Sequence, residues 1–311
     1  MTEQEQINKN NVIAIFYTVL GFFFLTVGDA LTKMLVGSIT PMLMTFLISI
    51  FAASMGIMIG GVKNGFSSLK TSHVKWHFVR GILMTFVSVA NVIALQHIQL
   101  DEFYAVVFTA PLWVALLSYL ILKDDIGKHR AFSLFIGFVI VLMMLRPGGG
   151  LLSFSALIVL AGTLCFALTI IIVRHVGDKE KPFLYAISAP LVATLLLAPV
   201  CIYQGAFEKM PSLPEWGILF VMSCFFLTGA SFVVAGFQKT NAASVVAPFH
   251  YTQMIWGIAL GYLIFGDAPA SEALMGAGCL AIVGVYMVFR EARANPTEKE
   301  ALHTEAPDVL P

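Results

Sequence analysis

Residues Leu100–Asp124 read LDEFYAVVFTAPLWVALLSYLILKD, and residues Ala243–Asp267 read ASVVAPFHYTQMIWGIALGYLIFGD. Shifted by 143 residues, Tyr119-Leu-Ile falls on Tyr262-Leu-Ile and Asp124 falls on Asp267. Each stretch is long enough to cross a bilayer, which takes roughly 20 apolar residues. Working outward, each block is preceded by three more apolar stretches and followed by one. The ten spans are 12–33, 39–61, 78–97, 102–122, 130–146, 152–174, 183–205, 214–238, 242–265 and 270–290. Hydrophobic residues are 59% of the 311 and charged ones 12%, about half the charged share of a soluble domain. No water-soluble domain is left over, so the chain reads as an all-α membrane protein.

The basic residues fix the orientation. With the N-terminus inside, only Lys33, Arg146 and Lys209 of the 18 Lys and Arg fall on the outer side. Basic residues in short loops are retained in the cytoplasm, so both termini are expected there. Five spans per half is an odd number, so the second half inserts upside down relative to the first. The expected units are two five-helix repeats, 1–147 and 151–291, joined by Pro147-Gly148-Gly149-Gly150, with a disordered cytoplasmic tail at 292–311. Inverted repeats recur in secondary transporters, with the substrate site near mid-membrane between them. The first span is too long for a signal-peptide core and reads as an anchor. Cys165, Cys201, Cys224 and Cys279 lie in or at the ends of spans without metal spacing and read as packing thiols. A net charge of zero argues against nucleic acid as a partner.

On these residues the halves resemble EamA-type repeats of the drug/metabolite transporter superfamily. The likeness rests on Arg80-Gly81 opening span three, Ala110-Pro111-Leu112 in span four, and Asp124 and Asp267 closing spans four and nine, where the family often has Glu. Gly137 in span five and Gly276, Gly278 and Gly284 in span ten fit the glycine-bearing helix that ends each repeat. Asp29-Ala-Leu-Thr-Lys33 fits the first span, whereas the Arg often seen in the second is absent from Met42–Ile50. The resemblance implies ten helices as two inverted five-helix repeats around a central cavity, with no cofactor. It implies movement of small metabolites such as amino acids, S-adenosylmethionine or flavins, without nucleotide hydrolysis. The inner membrane of a bacterium is the expected location, and a monomer or weak dimer the expected state.

Polar residues within the spans are the candidate site. A charged group at mid-membrane costs roughly 2.5–3.5 kcal/mol on insertion scales. Asp29 is the only carboxylate well inside a span, and Lys33 follows one turn later on the same face. The two form either an ion-coupling site, with protons as the candidate ion, or a charge pair near the outer mouth from which Lys33 reaches water. His250, Gln253 and Gly257 share a face of span nine, beside Trp256, and Gln253 aligns with Ala110 of span four. These groups either line the cavity or satisfy one another between helices. Thr228, Ser231 and Gln238 of span eight, Thr85, Ser88 and Asn91 of span three, and Thr109 and Trp113 of span four also recur at helical spacing. The expected substrate-binding set is Asn91, Thr109, Trp113, Ser231, His250, Gln253 and Trp256. Trp113 is suited to stack on a planar or cationic cargo. Pro111 and Pro190 are candidate hinges. Gly56-x-x-x-Gly60 and Gly257-x-x-x-Gly261 match a helix-packing motif, and a single His does not make a metal site.

A secondary transporter working by alternating access is the leading reading. A membrane-embedded enzyme acting on a lipid or peptide is the alternative, but no HExxH, GxSxG or paired intramembrane carboxylates occur. No GxxxxGK[ST] loop argues for ATP drive, and no filter-like segment argues for a channel. The polar groups expected in the cavity are neutral apart from one acid. An amphipathic or planar metabolite therefore fits better than a sugar phosphate.

Overall fold

The computed structural model describes residues 3–35, 37–65, 69–95, 106–124, 126–145, 154–266 and 271–293. Among these residues there are ten helical stretches, one on each expected span. They are α1 (Glu3–Leu35), α2 (Pro41–Asn64), α3 (Val74–Leu95), α4 (Ala110–Leu122), α5 (Lys128–Leu145), α6 (Phe154–Val176), α7 (Pro182–Tyr203), α8 (Leu213–Lys239), α9 and α10 (Ser271–Arg293). The ninth is built of four pieces: α-helix Ala243–Val246, 3₁₀ turns Ala247–Tyr251, α-helix Thr252–Leu260 and π-turns Gly261–Phe265. Five of the ten, α1, α2, α6, α7 and α8, are long and apolar enough to cross a membrane by length and composition alone, while α4 and α10 contain shorter apolar helices. The first residues of span four, the Pro-Gly joint, Asp267 and the tail beyond Arg293 lie outside the described residues.

Many Ser and Thr hydroxyls in these helices are satisfied within their own turn. Thr18, Thr26, Thr85, Ser88, Thr194, Ser223 and Ser231 each donate to the carbonyl four residues back, so these seven leave no bare donor to the hydrocarbon. Starts are marked by proline at the first turn in α2, α7 and α8, where its missing N–H costs nothing. Pro111 belongs to this group. Helix α4 begins at Ala110 after a turn at Phe108-Thr109 and has Pro111 in its first turn, so the described part of span four starts afresh there rather than bending in mid-helix. Pro190 does sit inside α7, as does Pro199.

Packing follows glycine. Helix α1 lies along α8, α3 along α6 and α7, α2 along α7 and α8, α4 along α6, α9 along α1, and α10 along α5. A first side-chain carbon at Gly21 would stand 2.7 Å from the Val233 nitrogen and 2.9 Å from the Gly229 carbonyl oxygen. One at Gly236 would meet the Thr18 hydroxyl and the Ala14 carbonyl. Gly56 and Gly60 of the expected motif do pack within the chain, against Ile187 and Phe183 of α7. Gly261 does not: nothing lies within 4 Å of the place a side chain would occupy.

The 143-residue offset reappears as geometry. The π-turns Ser118–Leu122 and Gly261–Phe265 are related by it, and so are the left-handed residues that end them, Lys123 at φ 59° and Gly266 at φ 72°.

Candidate functional site

Helices α1 and α9 run side by side in the same direction. Phe22 stacks on His250 with ring centroids 4.4 Å apart and 14° between planes. One turn on, the Thr26 methyl lies 4.0 Å from where a side chain on Gly257 would begin. Near the far end, Lys33 Nζ sits 4.4 Å over the Phe265 ring. Phe108 and Phe166 approach His250 edge-on at 6.0 and 5.6 Å, and Gln253 hydrogen-bonds to its ring. Residues before α4 and on α1, α6 and α9 thus converge on one buried imidazole. No sequence motif flagged the three phenylalanines, although Phe22 stands four and seven residues before Thr26 and Asp29 on one helical face.

Two indoles frame this cluster. Trp256 meets Phe23 edge-on at 5.2 Å, and Trp113 packs on the main apolar core. Among the described residues the Nε1 atoms of both are buried without a hydrogen-bond partner, which inside a membrane protein is expensive unless something supplies an acceptor. Thr109 donates to the Val106 carbonyl at 2.7 Å and lies 3.3 Å from the Thr163 hydroxyl. Asn91 sits at the α3–α6 interface, its carboxamide oxygen 4.0 Å from the space above Gly162. Ser231 bonds within α8 at 2.7 Å. Gln238, of the same helical stripe, instead ties α8 to the α6–α7 turn, donating to the Gly177 and Glu180 carbonyls at 2.9 Å. Asp29 and Lys33 are both exposed at the end of α1 far from Asn11. The described residues offer Asp29 no hydrogen bond or ion pair.

A second polar cluster, not anticipated from spacing, lies at the end carrying most basic residues. His77 Nδ1 is 2.8 Å from the Ser188 hydroxyl and its Nε2 is 3.2 Å from Glu180. Thr71 donates to the same carboxylate, and Arg80 donates to the Tyr185 carbonyl at 2.8 Å. Burial pushes the Glu180 carboxyl up, but hydrogen bonds from Thr71, His77 and the Lys181 amide together outweigh it and hold it below the usual carboxylate range. Its stabilisation is therefore complete above that range and is lost as pH falls through it. Glu180→Gln is expected to flatten the fall in melting temperature on acidification. An unchanged acid limb would remove Glu180 from that role. Among the described residues no three His, Cys, Asp or Glu side chains gather as a metal site, and the four cysteines are free.

Known proteins share this architecture. A solved crystal structure superposes with a TM-score of 0.74, covering 92% of this chain and 98% of its own at 19% identity. The S-adenosylmethionine uptake transporter of Rickettsia conorii is 23% identical over 303 residues, 94% of this chain and 99% of that protein. The riboflavin transporter of Brucella anthropi is 22% identical over 241 residues, 76% of this chain and 84% of that one. The EamA-like transporter family matches twice, over residues 12–146 and 153–290. With apolar helices through nearly the whole of both matches, the chain is a multi-pass integral membrane protein and belongs to the EamA-like transporter family.

Proposed function

We propose that this protein is a secondary transporter of a small amphipathic or planar metabolite, of the class of S-adenosylmethionine, a flavin or an amino acid. It works by alternating access between two inverted halves, 1–147 and 151–291. The observation that carries the reading is the double family match combined with the matching π-turns 143 residues apart. The helix contacts support it, because exchanging each span for the one five places away turns α1 on α8 into α6 on α3, and α4 on α6 into α9 on α1. The 15 basic residues expected on one side put that end, with both termini, in the cytoplasm of a bacterial inner membrane. The cargoes named for the relatives, S-adenosylmethionine and riboflavin, each carry a flat heterocycle with hydrogen-bond acceptors, which suits two indole N–H groups that find no partner among the described residues. The enzyme reading has no such support.

In this reading the cargo lies in a central cavity against His250, Gln253, Trp256, Trp113 and Thr109, with Asn91 and Ser231 at its edge. Pro111 and Pro190 mark where spans four and seven give way. Asp29, with Lys33 beside it, takes the coupling proton. The test is thermal stabilisation of the purified protein across a metabolite panel. S-adenosylmethionine or a flavin is expected to raise the melting temperature; a rise with a sugar phosphate alone would overturn the cargo class. Trp256→Phe keeps the edge contact with Phe23 and removes one donor. It is expected to weaken cargo binding by about 1 kcal/mol, roughly fivefold, at unchanged melting temperature of the empty protein. Equal affinity would take the indole N–H out of the site.

A further inference from the structure

One charge pair at the basic end joins the two halves. Asp124 follows the π-turn that closes α4, and Arg174 lies in the last turn of α6. Arg174 Nη2 donates to both carboxylate oxygens at 2.9 Å, and the side chains are only 11% and 10% exposed. Arg174 also donates to the Thr240 carbonyl at 2.6 Å and the Asn241 carbonyl at 2.9 Å. Asp124 accepts the Ala243 amide at 3.1 Å and the Ser118 hydroxyl. At the foot of α1, Asn11 accepts the Thr240 hydroxyl at 3.1 Å and the Asn241 amide at 3.2 Å. The ends of α1, α4, α6, α8 and α9 are therefore held by one network.

Burial along α9 is concentrated at the end that holds the charge pair. Every residue from Ala242 to Tyr251 is buried, and none from Thr252 to Phe265 is. The helix starts in a packed plug, and among the described residues nothing lies within 4 Å of a side chain built at Gly261, toward its other end. Taking two charges out of water is costly, so such a pair is weak evidence for stability alone, and its best-attested use is to fix one of two arrangements. Apolar side chains of the same volume would hold the ends at least as firmly, but water could not release them.

We propose that the Asp124–Arg174 pair is the latch of the cytoplasmic mouth. Made, it holds the site open to the opposite side; broken, it lets the feet of α4, α6 and α9 part. This rests on the alternating-access reading above, and the test separates the two. In a variant lacking the native cysteines, single cysteines are placed at Ala247, in the plug, and at Gly261, toward the other end of α9. A membrane-impermeant thiol reagent is then applied from each face of membrane vesicles.

With the pair intact, the cysteine at 247 is expected to be protected from the cytoplasmic face and that at 261 to react from the other. Asp124→Asn or Arg174→Gln is expected to raise labelling at 247 about tenfold, as when a minor conformer of ~1% grows to ~10%, and to lower labelling at 261. Arg174→Lys, which keeps the charge and loses the fork, gives a smaller rise and serves if the first variants fail to insert. No rise at 247 in an inserted variant overturns the latch. A rise at 247 without a fall at 261 keeps the latch and overturns alternating access.

Discussion

Gly229→Val is expected to leave little folded protein. Helices α1 and α8 touch through backbone at this point. A first side-chain carbon on residue 229 would lie 2.9 Å from the Gly21 carbonyl oxygen and 2.9 Å from two carbons of Leu25. Leu25 can turn aside, but the Gly21 carbonyl is fixed by its own helix. The two helices must therefore separate along their length. Overpacking in a tight core costs typically about 1–3 kcal/mol, and an obstacle made of main chain puts this case at the upper end or beyond. Against a total stability of roughly 5–15 kcal/mol for a soluble domain, that is a large share. Gly217, on the same helix, has nothing within 4 Å, so Gly217→Val is the matched control. Melting in detergent is expected to separate the two variants widely, and equal melting temperatures would contradict close α1–α8 packing.

Asp29→Asn is expected to abolish uptake driven by a pH gradient while leaving exchange of labelled for unlabelled cargo intact. The substitution keeps shape and hydrogen-bonding capacity but removes the only carboxylate well inside a span. A carboxylate at that depth costs roughly 2.5–3.5 kcal/mol on insertion scales, and the described residues give it no partner to offset this. Its side chain is exposed in this structure. Exchange needs only that the loaded site be presented alternately, so it survives without a titrating group. Uptake that still follows the pH gradient in this variant would take Asp29 out of the coupling mechanism.

The sequence made the repeat visible because its marks are local. Tyr119-Leu-Ile and Tyr262-Leu-Ile sit within the two π-turns, and the residues after them, Lys123 and Gly266, share a left-handed backbone. Contacts between helices distant in the chain were harder to see. The Asp124–Arg174 bond spans 50 residues and needs α4 and α6 already docked. Periodicity also overreached for Gln238, which shares a stripe with Ser231 and yet binds the α6–α7 turn. The same limit explains the glycines. A four-residue spacing singled out Gly257 and Gly261, but close approach occurs at Gly21, Gly28, Gly229 and Gly236, where α1 and α8 supply the opposing surface. A small residue permits contact; only the partner helix makes it happen.

Counterflow in proteoliposomes tests the whole account most directly. Vesicles holding the purified protein are loaded with unlabelled S-adenosylmethionine or riboflavin and diluted into a trace of the same compound carrying a label. A carrier that presents one site to each face in turn is expected to accumulate the label transiently above its outside concentration and to return it chemically unchanged. Label that only equilibrates at a rate independent of the internal load, or that emerges as a different compound, would contradict the account.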